Sequence, residues 1–412
     1  MEHLILHVDA NNFFASVAVA NNPSLKGRAV AVCGAKDERH GIVLAKSNIA
    51  KGYGIKTGDT VSEARRKAPD LVIVPPDYKQ YAKYSYLLYN LYIDYTPNVE
   101  SFGLDECWLD VTGCEKEYGS GENLANIIRE RIKKEIGLTV SVGVSFTKIF
   151  AKIGSDYKKP DATTVITKEN YKDIIWNLNV EEMLFVGRSV KAKLQKLGIK
   201  KIGQLANMPI KDLKDLFGKV GEKIYNSANG IEDEGVKLYT DKHIPESVSN
   251  GTTPVHDITN TKDATSLIYS LCEIIAYRLR QNNLVAQGVA IHIRDTDLCS
   301  MTRQEKLISP TSNSSVISQK ALEILGKHYS FSENLPLRAI TIATYGLISA
   351  SDMVQLSFIE DNHNCQIDKN IDNLRKKYGF NVLKLGVELD PEFGCEARAI
   401  EDGFLPFDKK NI

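Results

Sequence analysis

Apolar and polar positions along this chain fall into blocks that read as separate strands and helices. Leu4-Ile5-Leu6-His7-Val8 is an almost unbroken apolar run of strand length, and it ends at Asp9. A segment rich in Gly and Lys follows and closes at Pro75-Pro76. From Tyr78 to Tyr95, tyrosines and leucines recur at helical spacing. Val99 to Val111 holds two β-prone runs interrupted by Gly103-Leu104-Asp105-Glu106, the pattern of a hairpin turn. Asn123 to Ile136 carries Leu124, Ile127, Ile128, Ile132 and Ile136 on one helical face and stops at Gly137. Thr139 to Ser145 alternates as a half-buried strand. Strand, helix, hairpin, helix, strand is a split βαβ pattern, which predicts a mixed sheet with helices on one face.

Beyond Leu184 the pattern changes to short helices punctuated by Gly187, Gly198, Gly203, Gly218, Gly221 and Gly230. A polar stretch, residues 232 to 249, leads to a second α+β unit. Its expected strands are Val289 to Ile293 and Leu337 to Ala343, and its expected helices Asp263 to Gln281 and Ser315 to His328. The remaining residues offer one amphipathic helix, Ile367 to Tyr378. No internal repeat is evident.

Composition narrows the class. With 412 residues, 43% hydrophobic and 25% charged, the chain is globular and long enough for several domains. No apolar run reaches the ~18 residues of a membrane span, and the N-terminus has no leader-like pattern. Seven cysteines without a Cys-x-x-Cys pair fit a reduced cytoplasmic protein lacking structural zinc. The 52 basic and 52 acidic residues cancel overall, but not locally. Arg188 to Lys223 holds ten basic residues against three acids, whereas Ser351 onward has twelve acids against eight bases. A basic middle of this kind suits phosphate contacts.

Three acids carry the candidate chemistry. Taken singly, Asp9 serves equally as a strand-end or cap residue, and Asp105-Glu106 as acids of an exposed turn. In a split βαβ sheet, however, the first strand and the hairpin are neighbours, so Asp9 can lie beside Asp105 and Glu106. Clustered carboxylates repel one another unless cations neutralise them, and all-oxygen ligands select Mg²⁺ or Mn²⁺. Two such ions about 4 Å apart suit in-line displacement at phosphorus.

Three segments, Val8 to Val17, Ser101-Phe102-Gly103-Leu104-Asp105-Glu106 and Phe150 to Pro160, resemble signature motifs of the Y-family, translesion DNA polymerases. The resemblance is closest to the UmuC-like branch of Gram-positive bacteria and mobile elements, and it runs in order over residues 4 to 350. It implies an α+β multidomain, right-hand polymerase. The split βαβ palm would comprise residues 1–10 and 77–166, and small fingers 11–76. A helix-hairpin-helix thumb would span 167–235, a linker 236–248 and an α+β little finger 249–350. Residues 351–412 would be a tail.

The family's roles carry over residue by residue. Asp9, Asp105 and Glu106, with the backbone carbonyl of Ala10, would hold two Mg²⁺ ions, for which Mn²⁺ can substitute. Phe14 falls at the steric gate that excludes a ribose 2′-OH, with Phe13 beside it, and Lys159 falls where a lysine meets the incoming triphosphate. At the fingers positions of Tyr and Arg this chain has Asn48 and Lys51, which implies an altered triphosphate grip. Gly41, Leu44 and Ala45 would leave the templating site open. Gly187, Arg188 and Lys191 lie in the expected helix-hairpin-helix, where Phe185 replaces a customary glycine. Arg278, Arg280, Arg294, Arg303 and Lys306 are the candidate contacts of the little finger. Gln355, Leu356 and Phe358 resemble part of a sliding-clamp-binding peptide.

The implied activity is low-fidelity extension of a primer on template DNA with dNTPs, without proofreading, in DNA repair and the SOS response. One rival is a nucleotide cyclase on the same sheet, which would lack a thumb and little finger. Another is a catalytically weakened DNA- or clamp-binding accessory factor.

Overall fold

The computed structural model describes residues 3–34, 41–231, 234–238, 244–352, 362–383 and 386. They fall into two compact units, one ending at residue 241 and one beginning at residue 242.

The strands of the first unit are β1 (Ile5–Ala10), β2 (Val30–Cys33), β3 (Val43–Lys46), β4 (Val72–Val74), β5 (Val99–Ser101), β6 (Glu106–Asp110), β7 (Val140–Ser145) and β8 (Thr163–Ile166). Five of them form one sheet in the order β5-β6-β1-β7-β8. β1 runs antiparallel to both β6 and β7, as a split βαβ arrangement requires. The helices Tyr78–Ile93 and Gly121–Glu135 cover one face. Tyr81, Leu88, Tyr92, Leu124, Ile128 and Ile132 pack there against Leu6, Val8, Val140, Val142 and Val144.

The other face is covered too, which corrects the expectation of helices on one side only. The helix Lys148–Tyr157 lies across it, and every residue of β7 is buried instead of alternate ones. Gly143 permits this close approach. A Cβ there would lie 1.8 Å from the Ala151 carbonyl oxygen and 2.5 Å from the Ser155 nitrogen. The hydroxyls of Ser141 and Ser145 make the all-buried strand possible by bonding Asn11 Oδ1 and the Ile166 carbonyl.

A smaller sheet, β3-β2-β4, occupies the region expected as fingers. Its core is formed by Ala31, Cys33, Val43, Ala50, Ile55, Ala64 and Leu71. Residues 171–228 are a set of short helices, including Arg188–Lys196, Ile210–Phe217 and Lys219–Ala228, around Leu194, Ile202, Leu205, Leu213 and Ile224.

The second unit contains β9 (Ser247–Thr252), β10 (Leu284–Asp295), β11 (Ser300–Thr311) and β12 (Leu337–Ser349) in the order β11-β10-β12-β9. The helices Thr261–Gln281 and Ser314–His328 supply its core on one face. Both edge strands escape the hydrophobic pattern, because edges are polar and β9 begins inside the expected linker. The helix Asn362–Tyr378, expected in a tail, instead docks on the helix Thr261–Gln281. Arg375 Nη1 lies 2.7 Å from Glu273 Oε2, and Arg280 Nε donates to Asp372 Oδ2 at 2.7 Å.

Candidate active site

Near the end of β1, Asp9 lies opposite Glu106 in the ladder, and the Ala10 N–H donates to the Asp105 carbonyl at 3.1 Å. The hairpin between β5 and β6 turns through Gly103, at φ 97°, and Phe102 N–H closes it on the Glu106 carbonyl. Two neighbouring strand ends therefore present three carboxylates, because β1 and β6 pair in this register. Asn12 then turns the chain at φ 51°, a conformation asparagine tolerates, and starts the helix Phe13–Asn21.

The carboxylates have different environments. Asp9 is buried, and Lys159 Nζ donates to its Oδ2 at 2.6 Å while also lying 2.8 Å from Asp156 Oδ1. Burial pushes Asp9 up to about 7; Lys159 opposes this, and the charges of Glu106 and Asp105 add to it. Burial and the adjacent Glu106 raise Asp105 to about 6. Burial also pushes Glu106 upward, but its contacts with His7 and Lys152 outweigh that and hold it at about 2. Lys152 Nζ donates to Glu106 Oε2, and His7 Nε2 lies 3.3 Å from the same oxygen.

This set fits a hard divalent cation. Its donors are all oxygens, and burial together with neighbouring carboxylates raises two of the acids. As arranged, no three acidic, histidine or cysteine side chains among the described residues close on one point. Asp9 turns to Lys159, and Glu106 to Lys152.

Phe14 stacks on Tyr81 with centroids 4.0 Å apart and planes 10° apart, half-buried beside the Asp9 strand end. Phe13 points into the core at 4% exposure, its ring 6.1 Å from that of Tyr81. Asn48 opens the short helix Asn48–Gly52, and its Oδ1 accepts from Asn12 Nδ2 at 2.8 Å. That bond ties the short helix to the turn after Asp9. Lys51 is exposed on the same helix. Lys46, whose amine donates to Thr57 Oγ1, is held below the usual lysine range by burial and by the charge of Lys51. No spacing in the sequence marks His7 or Lys152; only the paired strands and the covering helix bring them to Glu106.

Gly187 caps the helix Arg188–Lys196 with no side-chain cap bond. Arg188 is exposed, whereas Lys191 pairs with Glu181 at 2.9 Å. Phe185 adopts φ 70° and is 47% exposed, with Lys223 Nζ 3.9 Å from its ring centroid. In the second unit, Arg294 and Lys306 lie on the sheet face away from the helices, in register with Ser300 and Gly288. Arg303 is in register with buried Ile291, hence on the opposite face. Arg278 donates to the Ser249 carbonyl and Arg280 is held by Asp372, so both are engaged within the unit. Gln355, Leu356 and Phe358 lie outside the described residues.

Comparison with known proteins identifies a family along most of the chain. Residues 8–156 match the impB/mucB/samB family, residues 245–358 its C-terminal domain, and residues 185–232 the DNA polymerase-iota thumb domain. The DNA polymerase IV of Acetivibrio thermocellus is 44% identical over 94% of this chain and 98% of that protein. Its counterpart in Clostridium acetobutylicum is 37% identical over 95% and 100%, and DNA polymerase IV 1 of Bacillus subtilis 34% over 94% of each. A solved Y-family DNA polymerase chimera, Dbh-Dpo4(243-245)-Dbh, shares the fold with a TM-score of 0.73. It is 23% identical, covering 84% of this chain and 99% of that one. A cyclase is excluded by the thumb and C-terminal domain matches, and an accessory role is not favoured with a polymerase relative over 94% of the chain. The chain belongs to the impB/mucB/samB family of Y-family polymerases and is a translesion, DNA-directed DNA polymerase.

Proposed function

We propose that Asp9, Asp105 and Glu106 are the acids at which this polymerase joins a dNTP to a primer 3′-OH. The observation that carries the assignment is the register pairing of Asp9 with Glu106, together with the Ala10–Asp105 backbone bond. Two Mg²⁺ ions, or Mn²⁺, held by these acids and the Ala10 carbonyl would lower the pKa of the 3′-OH and neutralise the triphosphate. Lys159 exchanges Asp9 for a triphosphate oxygen, a change of partner suited to a flexible ammonium. Phe14, braced by Tyr81, closes the space beside C2′ and rejects ribonucleotides. Lys51 and Asn48 meet the outer phosphates, Lys51 as a point charge without a bidentate fork.

Duplex DNA is held by its phosphates, at the Gly187–Arg188 helix start and on the open face bearing Arg294. Lys191 contributes once released from Glu181, and Arg303 only from the sheet's edge. Gln355, Leu356 and Phe358 dock on a sliding clamp. Work on chromosomal template implies a cytoplasmic protein, and no helix among the described residues is long and apolar enough to cross a membrane.

Primer extension tests the assignment. The parent should extend a primer on template with dNTPs and Mg²⁺, and a protein carrying Asp105→Ala and Glu106→Ala should not. Equal extension by the two would overturn it.

A further inference from the structure

The sheet face covered by the helix Lys148–Tyr157 carries a chain of polar contacts that ends on one oxygen of Glu106. Lys152 Nζ donates to Glu106 Oε2, and His7 Nε2 lies 3.3 Å from that same atom; Oε1 receives neither contact. Both groups are held from behind. His7 is fully buried, and its Nδ1 lies 2.8 Å from Ser155 Oγ, which in turn donates to the Lys152 carbonyl at 2.8 Å. Lys152 is only 13% exposed at its side chain, and its amine sits 5.4 Å from the Phe102 ring centroid. Phe102 packs on Trp108, whose ring is also 5.2 Å from His7. The amine therefore has little freedom, and the oxygen it grips is fixed with it.

We propose that Lys152 is a positioning residue for Glu106: it anchors Oε2 so that Oε1 is presented to a divalent cation. The proposal rests on the assignment of Glu106 as a metal ligand. A carboxylate that binds metal through one oxygen gains from a donor that immobilises the other, and loss of such a partner typically weakens metal affinity about 10- to 100-fold. A competing effect has the opposite sign. A nearby ammonium repels a cation, so if charge alone mattered, its removal would tighten binding. The two accounts predict changes in opposite directions.

The test is a Mn²⁺ titration followed by electron paramagnetic resonance on the full chain, with the parent, Lys152→Met, Lys152→Arg and Glu106→Gln. Thermal melting checks that each variant folds. Positioning predicts that Lys152→Met weakens one Mn²⁺ site about 10- to 100-fold, that Lys152→Arg restores most of the loss, and that Glu106→Gln weakens the same site. Parental or tighter Mn²⁺ binding by Lys152→Met, beside a weakened Glu106→Gln, overturns the positioning role alone. Should Lys152→Met fail to fold, failure of Lys152→Arg to bind within a few-fold of the parent overturns it instead. Parental affinity in Glu106→Gln removes Glu106 from the metal site, and with it both the ligand assignment and this proposal.

Discussion

Replacing Gly143 by alanine tests how tightly the helix over the candidate site is seated. The added Cβ would lie 1.8 Å from the Ala151 carbonyl oxygen and 2.5 Å from the Ser155 nitrogen, both backbone atoms of the helix Lys148–Tyr157. A carbon and an oxygen settle no closer than about 3.2 Å, so strand and helix must part by roughly 1.4 Å. Neither atom belongs to a flexible side chain, and close-packed interiors yield little. Overpacking usually costs about 1–3 kcal/mol. A backbone clash this deep belongs at or above about 3 kcal/mol, which for a unit of this size is roughly 6–12 °C of melting temperature. The same displacement moves Lys152 off Glu106 and Lys159 off Asp9. Misplacing catalytic groups by about 1 Å can cost on the order of 10²-fold in rate. Calorimetry and single-nucleotide insertion kinetics on Gly143→Ala should therefore show both losses together. Melting within about 2 °C of the parent, with parental insertion, would refute this account of the packing.

Other perturbations follow from single observations. Phe185 pays a left-handed backbone conformation at φ 70°, so Phe185→Gly should raise stability by about 1 kcal/mol less the lost Lys223 contact, read by thermal melting. Arg375→Met should destabilise the second unit by roughly 3–5 kcal/mol, because it strands buried Glu273; adding Glu273→Leu should recover most of that in denaturant titrations. If Asp9 and Asp105 hold the metal as proposed, protons and cations compete for them. Both acids are raised, to about 7 and about 6, so as metal ligands they would release protons on binding. Mn²⁺ affinity should accordingly climb as pH rises through about 6 to 7 and flatten above, with protons released on binding across that window.

The juxtaposition of the three acids in the candidate site was legible in the sequence, for a physical reason. An apolar run that stops at an acid, followed by a helix and a hairpin carrying two more acids, can pair in few ways, and β1 lies against β6 with Asp9 opposite Glu106. Strongly periodic helices were equally visible: Asp263 to Gln281 was expected, and Thr261–Gln281 is found. What escaped depends on partners remote in sequence. Nothing in Thr139 to Ser145 announces that its serine-and-glycine side will be covered, since Gly143 and the buried hydroxyls acquire meaning only beneath the helix Lys148–Tyr157. The same covering brings Lys152 and His7 to Glu106. The edge strands β9 and β11 escaped for a different reason, their polarity matching that of a loop. Arg280 read as a DNA contact because its partner Asp372 lies 92 residues away.

The central claim is that Asp9, Asp105 and Glu106 act as one metal-dependent site for nucleotide transfer. Asp9→Asn keeps the shape of the side chain and removes its charge, which makes single-turnover insertion of a dNTP on primer–template the most direct measurement. Loss of a ligand charge at such a centre is worth several kcal/mol, so insertion should fall by on the order of 10³-fold while primer–template binding stays within a few-fold of the parent. Insertion by Asp9→Asn within about tenfold of the parental rate would contradict the claim.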